Sequence, residues 1–398
     1  MKRTLAILLG VVLCGATASA QAPSSVKDGP DGANFWRVPS MVPATAKRGD
    51  LYWARERTDV PAGARGWNII YVSEGAAGAL EYVSGEIYVP RAAAPAGGQR
   101  PLVVWNHGTS GSQDSCAPSR DNLLQAGSSP RVPALDTLIA RGYVVAMSDY
   151  QGLGTPGPAA YLNGPAQGKA ALDVARAARN FGPAGAGARV AMYGFSQGGQ
   201  TSIWAASLAA RYAPELQLLG VVAVAPAARH LDLSFYDLGI PVNAGYFIAR
   251  MSGLAVGHSE VKLADMLTPA GLAALDAMSW GCYEIFGHAA RMTEPYAKRE
   301  ALQPGTPWRT LLEANDKFLP LPAAVPILIL QGETDVDVPV GQIRELNRDL
   351  CAQRARVDYR EYPGVDHMTM NDRSAPILPD WFDARFRGTA VPVTCQGS

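Results

Sequence analysis

Three side chains in this 398-residue chain have the types that nucleophilic catalysis needs, and each sits in a short glycine-containing motif. Ser196 lies in Gly194-Phe195-Ser196-Gln197-Gly198, between an apolar run at 189–193 and a helix-like stretch at 199–212. A sharp strand-to-helix turn there lifts the hydroxyl out of a sheet and aims a helix N-terminus at it. The flanking glycines avoid the clash a Cβ would make with the neighbouring strand and helix. Alone, the pentapeptide is a weak signal, because Gly and Ser are common in turns. A serine hydroxyl attacks only when a base takes its proton. The base in turn needs a carboxylate that fixes its tautomer and stabilises the imidazolium. Gly364-Val365-Asp366-His367-Met368 offers His367 as base, and Gly332-Glu333-Thr334-Asp335-Val336-Asp337-Val338-Pro339 offers Asp335 as acid.

Each assignment has competitors. Asp335 could be a turn residue, as Asp often is. Asp337 is a rival acid, although its place before Val338-Pro339 suits a solvated or structural carboxylate; Glu333 is a weaker rival. Asp366 reads as a loop-shaping neighbour of His367. His230, His258 and His288 have no partner motif and read as surface or packing residues. His107, in Trp105-Asn106-His107-Gly108-Thr109-Ser110-Gly111, falls after the wrong strand for a base and reads as a shaping residue. That loop is where a second donor to a developing oxyanion belongs, the backbone N–H of Thr109 or Gly108. The first donor is the N–H of Gln197, just after the serine.

These motifs need strands to end where they begin. Short runs rich in Val, Ile and Tyr recur at 67–73, 80–89, 102–106, 143–148, 190–193, 219–225, 326–331 and 357–362. The first two are close enough for an antiparallel pair. The later ones are separated by helical stretches, which suits parallel strands with crossovers. Candidate crossover helices are 133–141, 166–181, 199–212, 341–352 and 376–386; the second, rich in Ala, can pack closely on a sheet. Between 225 and 326 the alternation stops, and about a hundred residues carry mixed helical segments. A plain crossover needs far fewer. The reading is an α/β fold with an eight-stranded, mostly parallel sheet flanked by helices and a helical cap inserted after the sixth strand. Its parts are a signal peptide at 1–20, an extended arm at 21–50, core at 51–228, cap at 229–322 and core again at 323–398. Tyr246, Phe247, Met251, Leu254, Trp280 and Phe286 could line an acyl tunnel or pack the cap's own interior; packing is favoured.

Lys plus Arg equals Asp plus Glu, 35 each, so nothing points to nucleic acid or an anionic membrane surface. Residues 1–20 have a charged start, a short apolar run and Ala18-Ser19-Ala20, the pattern of an export signal cut after Ala20. The chain is therefore expected outside the cytoplasm, secreted or periplasmic. Cys14 lies within the signal and follows Leu13, where a lipoprotein signal wants a small residue. Cys116, Cys282, Cys351 and Cys395 remain, and an even number in an exported chain favours two disulfides. Three connectivities are open; Cys116–Cys282 with Cys351–Cys395 is favoured, the second tying down the C-terminal tail.

The order Ser, Asp, His at successive strand ends is that of the α/β-hydrolases. Asn106-His107-Gly108-Thr109-Ser110-Gly111, Ser148-Asp149-Tyr150-Gln151-Gly152-Leu153-Gly154 and Gly194-Phe195-Ser196-Gln197-Gly198-Gly199 together resemble the secretory lipase family, the lipase A-like group. The Asp149–Gly154 segment is the most specific of these. The resemblance runs from about Trp53 to the His367 loop and weakens in the cap. It implies that Ser196, Asp335 and His367 form the triad, that the cap is a helical lid, and that carboxylic esters, triglycerides in some members, are cleaved without metal or organic cofactor. The expected partner is a small-molecule or lipid ester, with transient lipid-interface contact through the cap. A peptidase or amidase of this fold would anchor an ammonium with cap acids such as Glu260, Asp265, Glu284 and Glu294. A non-catalytic binding member would usually have lost a triad residue, and none is missing here.

Overall fold

The computed structural model describes residues 26–96, 98–120, 132–228, 241–279, 281–282, 292, 294–318 and 320–395. Nine strands form one sheet: β1 (Leu51–Arg57), β2 (Ala64–Glu74), β3 (Leu80–Pro90), β4 (Arg100–Asn106), β5 (Val144–Ser148), β6 (Ala186–Phe195), β7 (Gln217–Val224), β8 (Ile327–Gly332) and β9 (Val357–Tyr362). Their spatial order is β1-β2-β3-β5-β4-β6-β7-β8-β9. β1 to β3 are antiparallel neighbours and β3 meets β5 antiparallel; from β5 onward every pairing is parallel. The helices are α1 (Leu135–Ala140), α2 (Gly164–Asn180), α3 (Gln197–Tyr212), α4 (Pro241–Ala255), α5 (Leu263–Met266), α6 (Pro269–Met278), α7 (Pro307–Asp316), α8 (Val340–Ala352), α9 (His367–Ser374) and α10 (Leu378–Phe386).

The central parallel strands are buried along their length because helices cover both faces. The period-two rule divides β4 cleanly. Leu102 and Val104 join the core beneath α2 and α3, while Val103 and Trp105 join the core beneath α1 and α10. Small residues on α2 let it approach α3 closely: a Cβ on Gly168 would stand 3.0 Å from the backbone of Ala205. α4 to α7 fall between β7 and β8, in the long insertion. A buried ion pair, Arg250 to Asp316 at 2.5 Å, links α4 to the end of α7. Asn315 joins α7 to the core by accepting the Gly164 N–H (2.8 Å) and donating to the Leu162 carbonyl (3.1 Å).

Two expectations need correcting. The sheet has nine strands, not eight. The additional one, β1, is an edge strand in which only the adjacent Trp53 and Ala54 are buried and whose charges find partners, Glu56 on Arg65 and Arg57 on Glu86. Such a strand lacks the apolar alternation by which the others were read. The arm, described from residue 26, is also more than an extended strap. It holds a 3₁₀ turn at Gly32–Trp36 whose Phe35 and Trp36 are buried. Trp53 donates to the Phe35 carbonyl (3.0 Å), and Arg55 lies over the Phe35 ring at 4.6 Å. The expected signal segment lies outside the described residues.

Two disulfides are formed, Cys116–Cys282 and Cys351–Cys395. The second holds the C-terminal tail where it runs beside β9: Thr394 donates its N–H to the Val357 carbonyl (2.8 Å), and its hydroxyl accepts the Tyr359 N–H (2.9 Å). Cross-linking residues 44 apart removes loop-closure entropy from the unfolded chain. Replacing Cys351 and Cys395 together by serine is expected to lower stability by about 2–4 kcal/mol. A fall in the denaturation midpoint, with room-temperature activity retained, would be the signature.

Candidate active site

β6 ends at Phe195 and α3 begins at Gln197, so Ser196 alone makes the turn. Its φ of 55° and ψ of −115° lie in a region that L residues rarely occupy. The surroundings hold it there. Its N–H donates to the Val224 carbonyl (2.9 Å), and its own carbonyl accepts N–H bonds from Gly199 (2.9 Å) and Ala227 (2.9 Å). A Cβ on Gly198 would fall 1.8 Å from the Asn106 carbonyl oxygen, so only glycine lets the start of α3 lie against the end of β4. As the first residue of α3, Gln197 has an N–H among those a helix leaves without an intrahelical acceptor.

The acid and base come from neighbouring loops after β8 and β9, and the two loops are joined by the Thr334 N–H to the Val365 carbonyl (3.1 Å). His367 Nδ1 and Asp335 Oδ2 are 2.6 Å apart, with both side chains buried. Asp335 is held from every side. Its Oδ1 accepts the N–H groups of Asp337 (3.0 Å) and Val338 (2.7 Å), while Oδ2 also accepts from Gln331 Nε2 (3.2 Å). With Nδ1–H donating to Asp335, the lone pair of His367 is on Nε2, the tautomer a general base needs. The imidazole lies against Phe195, ring centroids 4.6 Å apart, which puts it beside the residue that precedes Ser196. His367 opens α9, and Asp366 caps that helix by accepting the Thr369 N–H (2.8 Å). That bond pulls the Asp366 carboxyl below its ordinary range.

The loop after β4 is shaped from below. His107 is fully buried, stacked on Tyr150 at 4.4 Å, with Nδ1 2.7 Å from the Gly108 carbonyl. Burial depresses its pKa to about 4, so it is neutral at physiological pH, and among the described residues no carboxylate orients it. Tyr150 donates to the His107 carbonyl (3.1 Å). Asp149 is buried and accepts from the Ser84 hydroxyl (2.5 Å) and the Ser119 N–H (3.0 Å). It shores up the segment beneath the loop. Gly108 faces Phe195, where a Cβ would come within 3.0 Å of the ring. Thr109 is fixed by its hydroxyl, 2.8 Å from that of Tyr161. Gly253 of α4 in turn packs directly on the Tyr161 backbone, 2.1 Å from the oxygen for any added Cβ. The insertion thus reaches the Thr109 loop through one tyrosine.

Tyr161 and Gln331 are site residues that the motifs did not flag. A signal for Gln331 existed: one amide at the end of the otherwise apolar run Ile327-Leu328-Ile329-Leu330 must find buried partners. Tyr161 left no such trace. Cys116–Cys282 ties the chain just beyond Gly111 to the insertion, and Gly111 forms a β-bridge with Cys282. A cavity of about 720 Å³ opens alongside, between residues 112–120, the 152–159 turn, α4 and α6, with Asp114, Arg120 and Asp276 in its wall. It adjoins the Thr109 loop and is not lined by Ser196, Asp335 or His367. Of the apolar insertion residues, Phe247, Met251 and Leu254 are buried in the main core, which answers to packing. Trp280 and Phe286 lie outside the described residues, as do His230, His288 and Glu284.

A family model described as secretory lipase matches residues 132–291 and 302–393, more than half of the chain. The chain belongs to the secretory lipase family. Among curated members, it is 28% identical over 282 residues to the secreted triacylglycerol lipase LIP7 of Malassezia globosa, an alignment covering 66% of this chain and 58% of that protein. It is 27% identical over 301 residues to lipase A of Moesziomyces aphidis, covering 70% and 64%. The chain thus spans less than two thirds of the length of these two relatives. With lipase 10 of Candida albicans the identity is 25% over 401 residues, covering 92% and 83%. Solved structures agree on the fold. Candida antarctica lipase A in its closed state superposes with a TM-score of 0.72 at 22% identity, covering 91% of this chain and 87% of that one. The rice cell wall degrading esterase LipA of Xanthomonas oryzae gives 0.64 at 18%, covering 86% and 98%. This family member has the α/β-hydrolase architecture, with its long insertion after β7.

Proposed function

We propose that the protein is an exported serine hydrolase of carboxylic esters, with Ser196 as nucleophile, His367 as base and Asp335 as its orienting acid. The observation that carries this reading is the 2.6 Å hydrogen bond from His367 Nδ1 to Asp335, formed by an imidazole packed beside the strained Ser196 turn. Ser196 Oγ adds to the ester carbonyl as His367 Nε2 takes its proton. The N–H of Gln197, with that of Thr109 or Gly108, receives the oxyanion. The imidazolium then gives its proton to the departing alcohol, leaving an acyl-serine. Water, deprotonated by His367, releases the acid and restores the serine.

The rival amidase reading finds no support among the described residues of the insertion. Glu260 is exposed and bound to His258 (2.7 Å), and Asp265 and Glu294 are exposed. None of these three is set into a buried anion pocket for a substrate ammonium. Export is supported by the two disulfides, and cleavage behind Ala20 rests on the Ala18-Ser19-Ala20 pattern alone. Transient lipid-interface contact through the cap stays part of this reading, and a second apolar element lies beside the site. Val336 and Met368, each next to a proposed triad residue, are 55% and 54% exposed and form an apolar rim there.

The test pairs nitrophenyl esters, from acetate to palmitate, with aminoacyl nitroanilides, and adds a fluorophosphonate probe. Ester turnover with covalent labelling lost in Ser196→Ala is the expected result. Anilide turnover exceeding ester turnover, or labelling that persists in the variant, would overturn it. Long-chain esters presented at a lipid interface should gain more than acetate if the rim contributes.

A further inference from the structure

The imidazole of His367 has two carboxylates beside it, and the proposed mechanism uses one. An oxygen of Asp337, an oxygen of Asp335 and a ring nitrogen of His367 all lie within 4.8 Å of one another. The local turn creates this. Because Asp335 Oδ1 accepts the N–H groups of residues 337 and 338, the chain curls over it in an Asx-type turn. Val338 is buried as an anchor while Val336 points to solvent. Asp337 is left half-buried against the Asp335–His367 pair.

We propose that Asp337 is a positioning residue for His367: a second anion that stabilises the imidazolium formed when the serine proton is taken, and that replaces part of Asp335's action when that carboxylate is absent. This rests on the assignment of Ser196, Asp335 and His367 above. The charges acting on Asp337 are few. Burial pushes its carboxyl up, the positive charge of His367 is the largest influence drawing it back down, and Asp335 and Asp366 oppose that. Asp366 is committed to the Thr369 N–H on the helix side. From the β6 side His367 meets the uncharged Phe195 ring. An opposite charge within about 4–6 Å is close enough to bias a protonation equilibrium measurably.

The experiment compares Asp337→Asn, Asp335→Asn and the double variant, with Ser196→Ala as control, on a soluble nitrophenyl ester across pH. Removing one anion makes the imidazolium harder to form, so the base is free at lower pH. The acid limb of kcat/KM for Asp337→Asn should therefore move down by roughly half to one pH unit, with KM little changed. Asp335→Asn should keep about tenfold more kcat than the double variant, the non-additivity expected of groups acting on one imidazole. An unmoved acid limb in Asp337→Asn, or equal kcat in Asp335→Asn and the double variant, would overturn the inference. If Asp335→Asn does not fold, the Asp337→Asn profile decides alone. A Ser196→Ala protein that still turns over ester sinks the triad assignment and this inference with it. An inactive Ser196→Ala beside an unmoved limb sinks the inference only.

Discussion

Replacing Ser196 by glycine is expected to abolish ester turnover and at the same time to make the protein more stable. The loss should reach roughly 10⁴–10⁶-fold in kcat, the scale seen when a serine nucleophile is deleted and only binding and oxyanion stabilisation remain. The gain follows from the backbone. At φ 55° and ψ −115° a side chain costs about 1–3 kcal/mol, whereas glycine occupies the region freely. Glycine's greater freedom in the unfolded chain offsets about 0.5–1 kcal/mol of that. A net gain of about 1 kcal/mol remains, seen as a rise in the denaturation midpoint. Ser196→Ala separates the two effects. It removes the hydroxyl but keeps a Cβ in the same strained conformation, so it should be as inactive as the glycine variant and gain no stability. Turnover surviving in either variant would refute the nucleophile. Equal stability of the two would refute the claim that the turn holds its serine under strain.

That strain also explains which parts of the site could be read from the sequence. A serine that must sit at positive φ between a strand and a helix forces glycines around it, and glycines are visible in a sequence. Asp335 and His367 were legible for a different reason: each follows a strand, the apolar Ile327–Gly332 run for Asp335 and the Val- and Tyr-containing Val357–Tyr362 run for His367, and polar groups at the carboxyl ends of parallel strands face one common edge. α9 left a trace as well, since Asp366 three residues ahead of Thr369 is an N-cap pattern, although the local turn residues Gly364 and Asp366 suggested only a loop. β1 was missed because its register is set by β2 and by ion pairs across the sheet rather than by alternation of its own. Tyr161 was missed because its partners, Thr109 and the Gly253 backbone, stand 52 residues away on one side and in the insertion on the other. No pattern in the neighbouring residues encodes such a meeting. The cavity beside the Thr109 loop is of the same kind, being walled by four separate stretches of chain.

Gly198→Ala should cost nearly as much activity as removing an oxyanion donor, although the residue touches no substrate. Its Cβ would lie 1.8 Å from the Asn106 oxygen, 2.4 Å from the Asn106 carbonyl carbon and 2.8 Å from the His107 oxygen. All three are backbone atoms, so no side chain can rotate away, and either α3 or the loop after β4 must move. α3 is the less free to do so. Its first turn is pinned by Gly199 against Pro226, where an added Cβ would come within 2.8 Å of Cα. The loop therefore yields, carrying Gly108 and Thr109 away from the N–H of Gln197. Overpacking of this kind costs about 1–3 kcal/mol or more of stability. Displacing one donor costs about 10²–10³ in kcat with a smaller change in KM. Gly341→Ala supplies the control, because it lies in α8 with nothing within 4 Å of the added methyl. There alanine should be neutral or stabilising by about 0.5–1 kcal/mol, with activity unchanged. A Gly198→Ala enzyme with wild-type kcat would mean that the two oxyanion donors do not depend on the contact between α3 and β4. The second donor would then have to be sought outside the Thr109 loop.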